Sequence, residues 1–256
     1  MFNKKQILVS AGDAITAKLV QEAGFDGIWI SGFEASARLG LADNGSITMT
    51  EMLNIAKPIV DAVNIPVWVD TDTGYGNFSR TLKEFEKIGV YGVCIEDNLP
   101  KKQNSLWGDK IPLMDKREFG EKLLLSHVNR KIKIIARTEA LIRGYGKVEA
   151  IDRLLYYKEC GADILLPHTR DQQQLIDMDL GGHPKAIVPT KFPSFTSEKL
   201  HSMGYSMIIW ANQTERVKIK ATRECLGSLM GSDCAEYIEA NLSATLEDLK
   251  GLTASE

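Results

Sequence analysis

Two carboxylates end an apolar run near the middle of this 256-residue chain, and a polar segment that contains lysine follows them. The carboxylates belong to Glu96 and Asp97, and the segment contains Lys102, Asn104 and Ser105. Charged groups at the end of a buried strand are costly unless a metal ion or an anionic ligand uses them. We therefore interpret Glu96 and Asp97 as acids beside a metal ion, and the later three residues as groups that close over a substrate. The alternative is a solvated turn with an incidental charge pair.

A second pair of acids, Asp70 and Asp72, follows an earlier apolar run and precedes Gly74 and Gly76. In extended backbone, residues i and i+2 point the same way, so both carboxylates are expected beside Glu96 of a neighbouring strand. Such acids repel one another unless a cation neutralises them. Mg²⁺ suits them because it is a hard cation that takes oxygen ligands and keeps bound waters. The pattern predicts a Mg²⁺ site, although a turn with helix-capping acids is the alternative.

Arg137 and His168 follow two later apolar runs, so the same argument places them opposite the acids. A guanidinium and an imidazole that face a metal suit a phosphate or a carboxylate. Glu139 is expected to orient Arg137 or a neighbouring side chain, with an ordinary ion pair as the alternative. Amides and hydroxyls are expected to complete this side of the site, from Ser31, Gly32, Ser105 and Thr169.

The elements that must position these residues are eight short apolar runs, which alternate with segments of helical period. The runs cover residues 7–9, 27–30, 66–69, 92–95, 132–136, 164–166, 186–188 and 207–210, and helical segments include 14–23, 79–88, 147–160 and 197–203. Buried strands that each lead into a helix predict a parallel sheet, and eight of them predict a (β/α)8 barrel. The alternative is an open doubly wound sheet, but no Gly-x-Gly-x-x-Gly turn follows the first run.

Composition and charge favour a small-molecule partner. The net charge of -3, with basic residues scattered among acids, does not favour nucleic-acid binding. The four cysteines form no Cys-x-x-Cys pair, which predicts a reduced, cytoplasmic protein. Too few apolar residues follow the basic amino terminus for a signal peptide or a membrane span. At this length, and with 44% hydrophobic residues, we expect one domain over residues 1–256.

The motifs at the ends of the apolar runs closely resemble those of the phosphoenolpyruvate mutase group within the phosphoenolpyruvate mutase and isocitrate lyase superfamily. The resemblance covers residues 31–216 and rests on Ser31-Gly32-Phe33, Asp70-Thr71-Asp72-Thr73-Gly74-Tyr75-Gly76-Asn77, Glu96-Asp97 with Asn104-Ser105, Ala136-Arg137-Thr138-Glu139-Ala140, Val188-Pro189-Thr190-Lys191 and Ile209-Trp210-Ala211-Asn212. It implies a (β/α)8 barrel with Mg²⁺ at the strand ends. It also implies that the last helix is exchanged between subunits of a dimer, which pairs into a tetramer.

The resemblance further implies phosphoryl transfer within one molecule, interconverting phosphoenolpyruvate and 3-phosphonopyruvate. By position, the metal-side acids are Asp70, nearest the ion, with Asp72 and Glu96. Asp43 matches the acid beside the reacting phosphoryl group, and Arg137 and His168 match its anchors. The expected substrate-binding set also includes Ser31, Gly32, Phe33 and Thr190, while Lys102, Asn104 and Ser105 belong to a gating loop at about 98–110.

The gating loop separates the subfamilies. Carbon–carbon lyases of the superfamily carry Lys-Arg-Cys-Gly-His, whose cysteine donates a proton, where this chain has Lys102-Gln103-Asn104-Ser105-Leu106. Phosphonopyruvate hydrolases usually have threonine at the position of Asn104, which favours the mutase. Departures from the mutase pattern are Asn98 in place of lysine, Pro100-Lys101 in place of Phe-Pro, and Gln213 in place of histidine. A hydrolase, a divergent member acting on a related phosphonate or 2-oxo acid, and a catalytically silent binding barrel are the alternatives.

Overall fold

Eight parallel strands form one sheet in the order β6-β5-β4-β3-β2-β1-β8-β7 in the computed structural model, which describes residues 5–100, 111–126, 130–175 and 178–253. A parallel bridge between Leu165 and Lys185 joins the two outer strands, so the sheet curls into a nearly closed barrel. The strands are β1 (Gln6–Ser10), β2 (Gly27–Ile30), β3 (Val67–Asp70), β4 (Gly92–Glu96), β5 (Lys133–Thr138), β6 (Ile164–Pro167), β7 (Ala186–Ile187) and β8 (Met207–Trp210). The predicted (β/α)8 barrel is confirmed, and the open doubly wound sheet is wrong.

Helices connect the strands along the outside of the barrel. They are α1 (Ala14–Glu22), α2 (Gly32–Arg38), α3 (Met49–Ala62), α4 (Phe78–Lys87), α5 (Lys116–Leu125), α6 (Lys147–Glu159), α7 (Ser197–Ser202), α8 (Gln213–Ser232), α9 (Glu236–Asn241) and α10 (Leu246–Gly251). The four helical segments predicted from the sequence agree with α1, α4, α6 and α7 to within one residue at each end. A short 3-10 helix, Gln172–Leu175, lies between β6 and β7.

Each strand is apolar on both faces because one face fills the barrel and the other packs against helices. The inner cluster contains Leu8, Trp29, Trp68, Cys94, Ile135, Ile164, Leu166, Met207 and Ile209. The residues between them, such as Val93 and Ile95 of β4, belong to the outer cluster. Gly92 makes room for the Trp68 ring in the interior, since a Cβ at residue 92 would lie 2.3 Å from that ring.

The helices after β8 differ from the rest. Helix α8 has 20 residues and none of them is buried in the part of the chain that the structure describes. Its exposed apolar side chains include Val217 and Met230, the latter 90% exposed. Among the described residues, we find no helix with the length and apolar character that crossing a membrane requires.

Candidate active site

A pocket opens at the carboxyl ends of the strands, where barrel enzymes bind their substrates. It is lined by Trp29, Ser31, Phe33, Asp43, Asp70, Arg137, His168, Thr169, Val188, Thr190, Lys191, Ala211 and Asn212. The structure therefore brings together the predicted residues Ser31, Phe33, Asp43, Asp70, Arg137, His168 and Thr190. Gly32, Asp72 and Glu96 lie against these lining residues, as described below. Lys102, Asn104 and Ser105 lie outside the described residues.

The alternation of side chains along each strand selects which residues reach this pocket. In β4, Cys94 faces the barrel interior, so Glu96 continues the inner series towards the carboxyl end. In β5, Ile135 is the inner residue and Arg137 follows it. In β6, Leu166 is inner and His168 comes two residues later. The site residues thus lie directly above the apolar side chains that fill the barrel interior.

The two acids after β3 reach the same place by a different backbone path from the one expected. Asp70 ends the strand, but Asp72 has φ +50°, so the backbone there is left-handed rather than extended. The prediction of an extended Asp70–Asp72 pair is wrong on this point. The turn is fixed to β4, because Thr71 donates its hydroxyl to the Cys94 carbonyl at 2.7 Å and Asp72 O accepts from Glu96 N–H at 2.8 Å.

Gly32 lies against both of these acids. A Cβ on Gly32 would be 3.0 Å from Asp72 Oδ1 and 3.6 Å from Asp70 Oδ2. Glycine therefore lets the start of α2 approach the two carboxylates closely. The preceding Ser31 caps α2, and its hydroxyl accepts from the Glu34 N–H at 3.4 Å. The turn at Ser31 and Gly32 is expected to bind substrate oxygens. It lies against Asp70 and Asp72, so the turn and these acids form one wall of the pocket.

Glu96 is buried and its two carboxylate oxygens meet different donors. Asn98 Nδ2 donates to Oε1 at 2.8 Å, and Arg137 Nη2 lies 3.2 Å from Oε2. The same guanidinium reaches towards Asp70, with 3.8 Å between Arg137 Nη1 and Asp70 Oδ2. Arg137 therefore places a cation beside the acids of β3 and β4.

Arg137, Glu139 and His168 form a second cluster across from the acids. Arg137 Nε donates to Glu139 Oε1 at 2.5 Å, His168 Nδ1 lies 2.7 Å from the same oxygen, and Arg137 Nη2 lies 2.8 Å from His168 Nδ1. Burial opposes the charge on Arg137, but Glu139, Glu96 and Asp70 outweigh burial and raise the pKa of the guanidinium well above its usual value. The prediction that Glu139 orients Arg137 agrees with these contacts.

The donor set fits Mg²⁺ bound through few protein ligands rather than through a closed cage. In the described part of the chain, no three His, Cys, Asp or Glu side chains converge closely enough to bind a metal ion by themselves. Mg²⁺ commonly uses one or two carboxylates and completes its shell with waters and substrate oxygens. Asp70 is the one predicted metal-side acid that lines the pocket, and Glu96 and Asp72 stand beside it.

Asp97, which the sequence predicts beside the metal ion together with Glu96, points the other way. Its carboxylate accepts from Thr138 Oγ1 at 2.7 Å, Tyr157 Oη at 2.8 Å, Arg153 Nη1 at 3.3 Å and the Glu139 N–H at 2.8 Å. Burial raises the pKa of Asp97, and the hydrogen bonds from Glu139 and Thr138 oppose that rise. Two of these donors come from the end of β5 and two from α6, so Asp97 links the strand to the helix. The interpretation of Asp97 as a metal-side acid is therefore wrong.

Five residues line the pocket although the predicted site does not include them: Trp29, Val188, Lys191, Ala211 and Asn212. Thr169, which is expected on the same side as Arg137 and His168, also lines the pocket. Asn212 precedes α8, yet its side chain makes no cap hydrogen bond among the described residues. Asn212 Oδ1 and Thr190 Oγ1 are buried at the pocket without a protein hydrogen-bond partner in the described ranges. Such atoms are normally satisfied by a ligand or water. Thr190 and Asn212 follow β7 and β8 closely in the sequence, and this position alone indicates that they lie at the carboxyl ends of the strands.

Fold and site together define an enzyme of the (β/α)8 class, with carboxylates, a buried arginine and a histidine at the carboxyl ends of its strands. The chain belongs to the phosphoenolpyruvate phosphomutase family, whose sequence profile matches residues 3–230. It is similar to the phosphoenolpyruvate phosphomutase of Tetrahymena pyriformis, with 32% identity over 94% of this chain and 84% of the relative.

Relatives with other activities have similar identity. The 2,3-dimethylmalate lyase of Eubacterium barkeri is 34% identical over 98% of this chain and 92% of its own. The phosphonopyruvate hydrolase of a Variovorax species is 31% identical over 93% of this chain and 87% of its own. The family is therefore established, while sequence identity alone does not select one reaction within it.

Two solved structures have the same fold. A phosphoenolpyruvate phosphomutase from Streptomyces platensis subsp. rosaceus superposes with a TM-score of 0.92 and 32% identity, over 97% of this chain and 90% of that one. A phosphonopyruvate hydrolase in complex with oxalate and Mg²⁺ superposes with a TM-score of 0.89 and 28% identity, over 98% and 90% of the two chains.

Proposed function

We propose that this enzyme is a Mg²⁺-dependent phosphoenolpyruvate mutase. In the reaction, the bond between phosphorus and the enol oxygen breaks and a bond between phosphorus and carbon 3 forms, while the enol becomes a ketone. All atoms of the substrate remain in the product, and no proton or water is consumed. Phosphoryl transfer of this kind asks the protein mainly for positioning, charge stabilisation and exclusion of water.

The observation that carries the proposal is the Arg137 cluster, which faces the acids across one small pocket. The fixed contacts from Glu139 to Arg137 Nε and His168 Nδ1 hold the guanidinium and the imidazole in place before a ligand arrives. A preorganised guanidinium binds phosphoryl or carboxylate oxygens in a planar, bidentate manner. Arg137 and His168 anchor the phosphoryl group in this proposal, and Asp43 lies beside it at the pocket wall.

Mg²⁺ would be held on the opposite wall by Asp70, with Asp72 and Glu96 in support, and it supplies charge neutralisation for the substrate oxygens. Ser31, with the backbone of Gly32 and Phe33, orients the carboxylate end of the substrate, and Thr190 contributes a hydroxyl. The hydrolase structure that contains oxalate and Mg²⁺ supports an anionic substrate bound with this cation.

The cysteines argue against a lyase of the superfamily. Cys94 fills the barrel interior, Cys160 packs in the outer cluster, and Cys225 and Cys234 lie in the segment after β8. None of them lines the pocket as the described residues define it, and the sequence has no cysteine in the loop at 98–110. A proton donor of that type is therefore missing, whereas intramolecular phosphoryl transfer needs none.

Phosphorus NMR of the wild-type reaction with phosphonopyruvate tests the proposal, because phosphonate, phosphate ester and free phosphate give separate signals. We expect Mg²⁺-dependent interconversion with phosphoenolpyruvate and little free phosphate. Free phosphate as the main product would make the enzyme a hydrolase. No consumption of phosphonopyruvate would indicate the divergent substrate, and a parallel reaction in EDTA controls for the metal.

We also propose a cytoplasmic homo-oligomer in which the carboxyl-terminal helices pack on another subunit. The exposed apolar side chains of α8, including Val217, Leu226 and Met230, support this arrangement because an exposed apolar surface of this kind is stabilised by packing against another subunit. A single domain over 1–256, with a gating loop at about 98–110, remains the sequence prediction. Light scattering of the wild type checks the oligomer, and a monomer at micromolar concentration would contradict it.

A further inference from the structure

The side chain of Asn98 contacts an acid of the proposed metal site. Glu96 and Asn98 are two residues apart at the end of β4, so they project to the same side, while Asp97 projects to the other. Asn98 Nδ2 donates to Glu96 Oε1 at 2.8 Å, and Asn98 is only 1% exposed. The amide orientation follows from its partner, since an ionised carboxylate only accepts hydrogen bonds.

The backbone on both sides of Asn98 is fixed independently of any ligand. Asn98 forms an antiparallel bridge with Leu113, and the Met114 N–H donates to the Asp97 carbonyl at 2.9 Å. Arg153 Nη1 donates to the Met114 carbonyl at 2.8 Å and so ties this bridge to α6. Asn98 thus presents its amide to Glu96 from a rigid position.

The two donors on Glu96 have different effects on its charge. Arg137 approaches Oε2 as a cation, so a closer pair between them would neutralise the carboxylate. The Asn98 amide is neutral, so it fixes Oε1 and leaves the negative charge available to a cation. The hydrogen bond from Asn98 to Oε1 also limits rotation of the Glu96 carboxylate towards the Arg137 guanidinium. Partners of this kind set the orientation of metal-binding carboxylates.

We infer that Asn98 is a positioning residue that sets the orientation of Glu96 for Mg²⁺ binding, an inference that rests on the metal site of the proposed function. Asn98 itself does not contact the substrate in this account. Its role is specific to the amide, so an apolar side chain of similar size does not replace it.

Calorimetric titration of Mg²⁺ alone into the full-length protein tests this inference. Asn98→Leu keeps the bulk of the side chain and removes the donor, and we expect Mg²⁺ affinity to fall roughly 10-fold or more. Thr138→Val is the matched control, because it removes a buried donor from Asp97 rather than from Glu96. The control should lose stability to urea and keep the Mg²⁺ affinity of the wild type.

The outcomes separate the inference from the proposed function. Wild-type affinity in Asn98→Leu, or an equal loss in Thr138→Val, overturns the role of Asn98 and leaves the metal site in place. A wild type that binds no Mg²⁺ overturns the metal site and the inference together. Loss confined to Asn98→Leu supports both.

Discussion

Glu96 and Asp97 are neighbours in sequence and have the same charged group, yet they occupy opposite sides of the barrel wall. Glu96 points to the pocket, where Arg137 faces it at 3.2 Å. Asp97 points to the opposite side, where two donors from the end of β5 and two from α6 surround it. The same contrast holds in β5, where Arg137 faces the pocket and Thr138 donates to Asp97. Alternation along the strand therefore assigns one residue to the site and the next to the scaffold.

The difference lies in which part of the protein each group contacts. Each carboxylate oxygen of Asp97 accepts a hydrogen bond from a protein donor, so the Asp97 charge is stabilised entirely within the fold. Arg137 lies 3.2 Å from Glu96 Oε2 and 3.8 Å from Asp70 Oδ2, and both Asp70 and Arg137 line the pocket, where a ligand can reach them. Scaffold substitutions should therefore change stability, and pocket substitutions should change activity.

The largest expected effect is on the pocket side. Asp70→Ala should lower turnover at least roughly 10³-fold, because a metal ion contributes several kcal/mol of charge stabilisation to the transition state. Circular dichroism should show that the fold is kept. Asp61→Ala, which removes an exposed carboxylate paired with Lys57 on α3, is the matched control and should keep full turnover. Unchanged turnover of Asp70→Ala at saturating Mg²⁺ would remove Asp70 from the metal site.

The scaffold side should respond in stability instead. Asp97→Ala leaves Arg153 and the donors of Thr138 and Tyr157 without their acceptor, and breaking a buried charge pair costs about 3–5 kcal/mol. The free energy of unfolding in urea measures this. Glu96→Gln should change that free energy much less, while lowering turnover. Equal destabilisation by the two variants would break the contrast between the two faces of the strand end.

Glu34 sharpens the comparison, because it is a buried carboxylate with less support than Asp97. Ser10 Oγ donates to Glu34 Oε1 at 2.9 Å, and Oε2 has no hydrogen-bond partner within the described residues. Burial raises the pKa of Glu34 from its ordinary 4.5 to about 7, although the Ser10 hydrogen bond lowers it. The folded state therefore holds this proton more tightly than the unfolded chain does.

The sign of the pH effect follows from that difference. Between pH 4.5 and about 7 the folded state binds more protons at Glu34 than the unfolded chain, so stability falls as the pH rises. The contribution lost is up to about 3 kcal/mol. Glu34→Gln has no such proton, so its unfolding free energy should decline less than that of the wild type between pH 5 and pH 8. Parallel pH profiles of the two proteins in urea would rule this out.

The sequence was sufficient for the barrel, because eight apolar runs and their helices leave little choice of architecture. It also located Asp70, Arg137 and His168 at one rim. It did not separate Glu96 from Asp97, because Val93, Cys94 and Ile95 are all apolar and the inner series of β4 cannot be identified from them.

Two further features depend on contacts between separate segments of the chain. The left-handed backbone of Asp72 is unusual for a residue other than glycine, and it is held by the Glu96 N–H to Asp72 carbonyl bond, which joins two strands far apart in sequence. The Asn98 amide on Glu96 also depends on the bridge to Leu113. Neither contact has a local sequence pattern that predicts it.

We expect the acidic wall and the Arg137 wall to bind one anionic ligand together through Mg²⁺. Calorimetric titration of oxalate into the wild type, with Mg²⁺ and then with EDTA, tests it most directly. Oxalate is a small dianion and cannot react, so its affinity reports the assembled site alone. We expect binding with Mg²⁺ and a loss of at least roughly 10²-fold without it, as expected when a charge-neutralising cation is removed. Equal oxalate affinity in Mg²⁺ and in EDTA would contradict the claim.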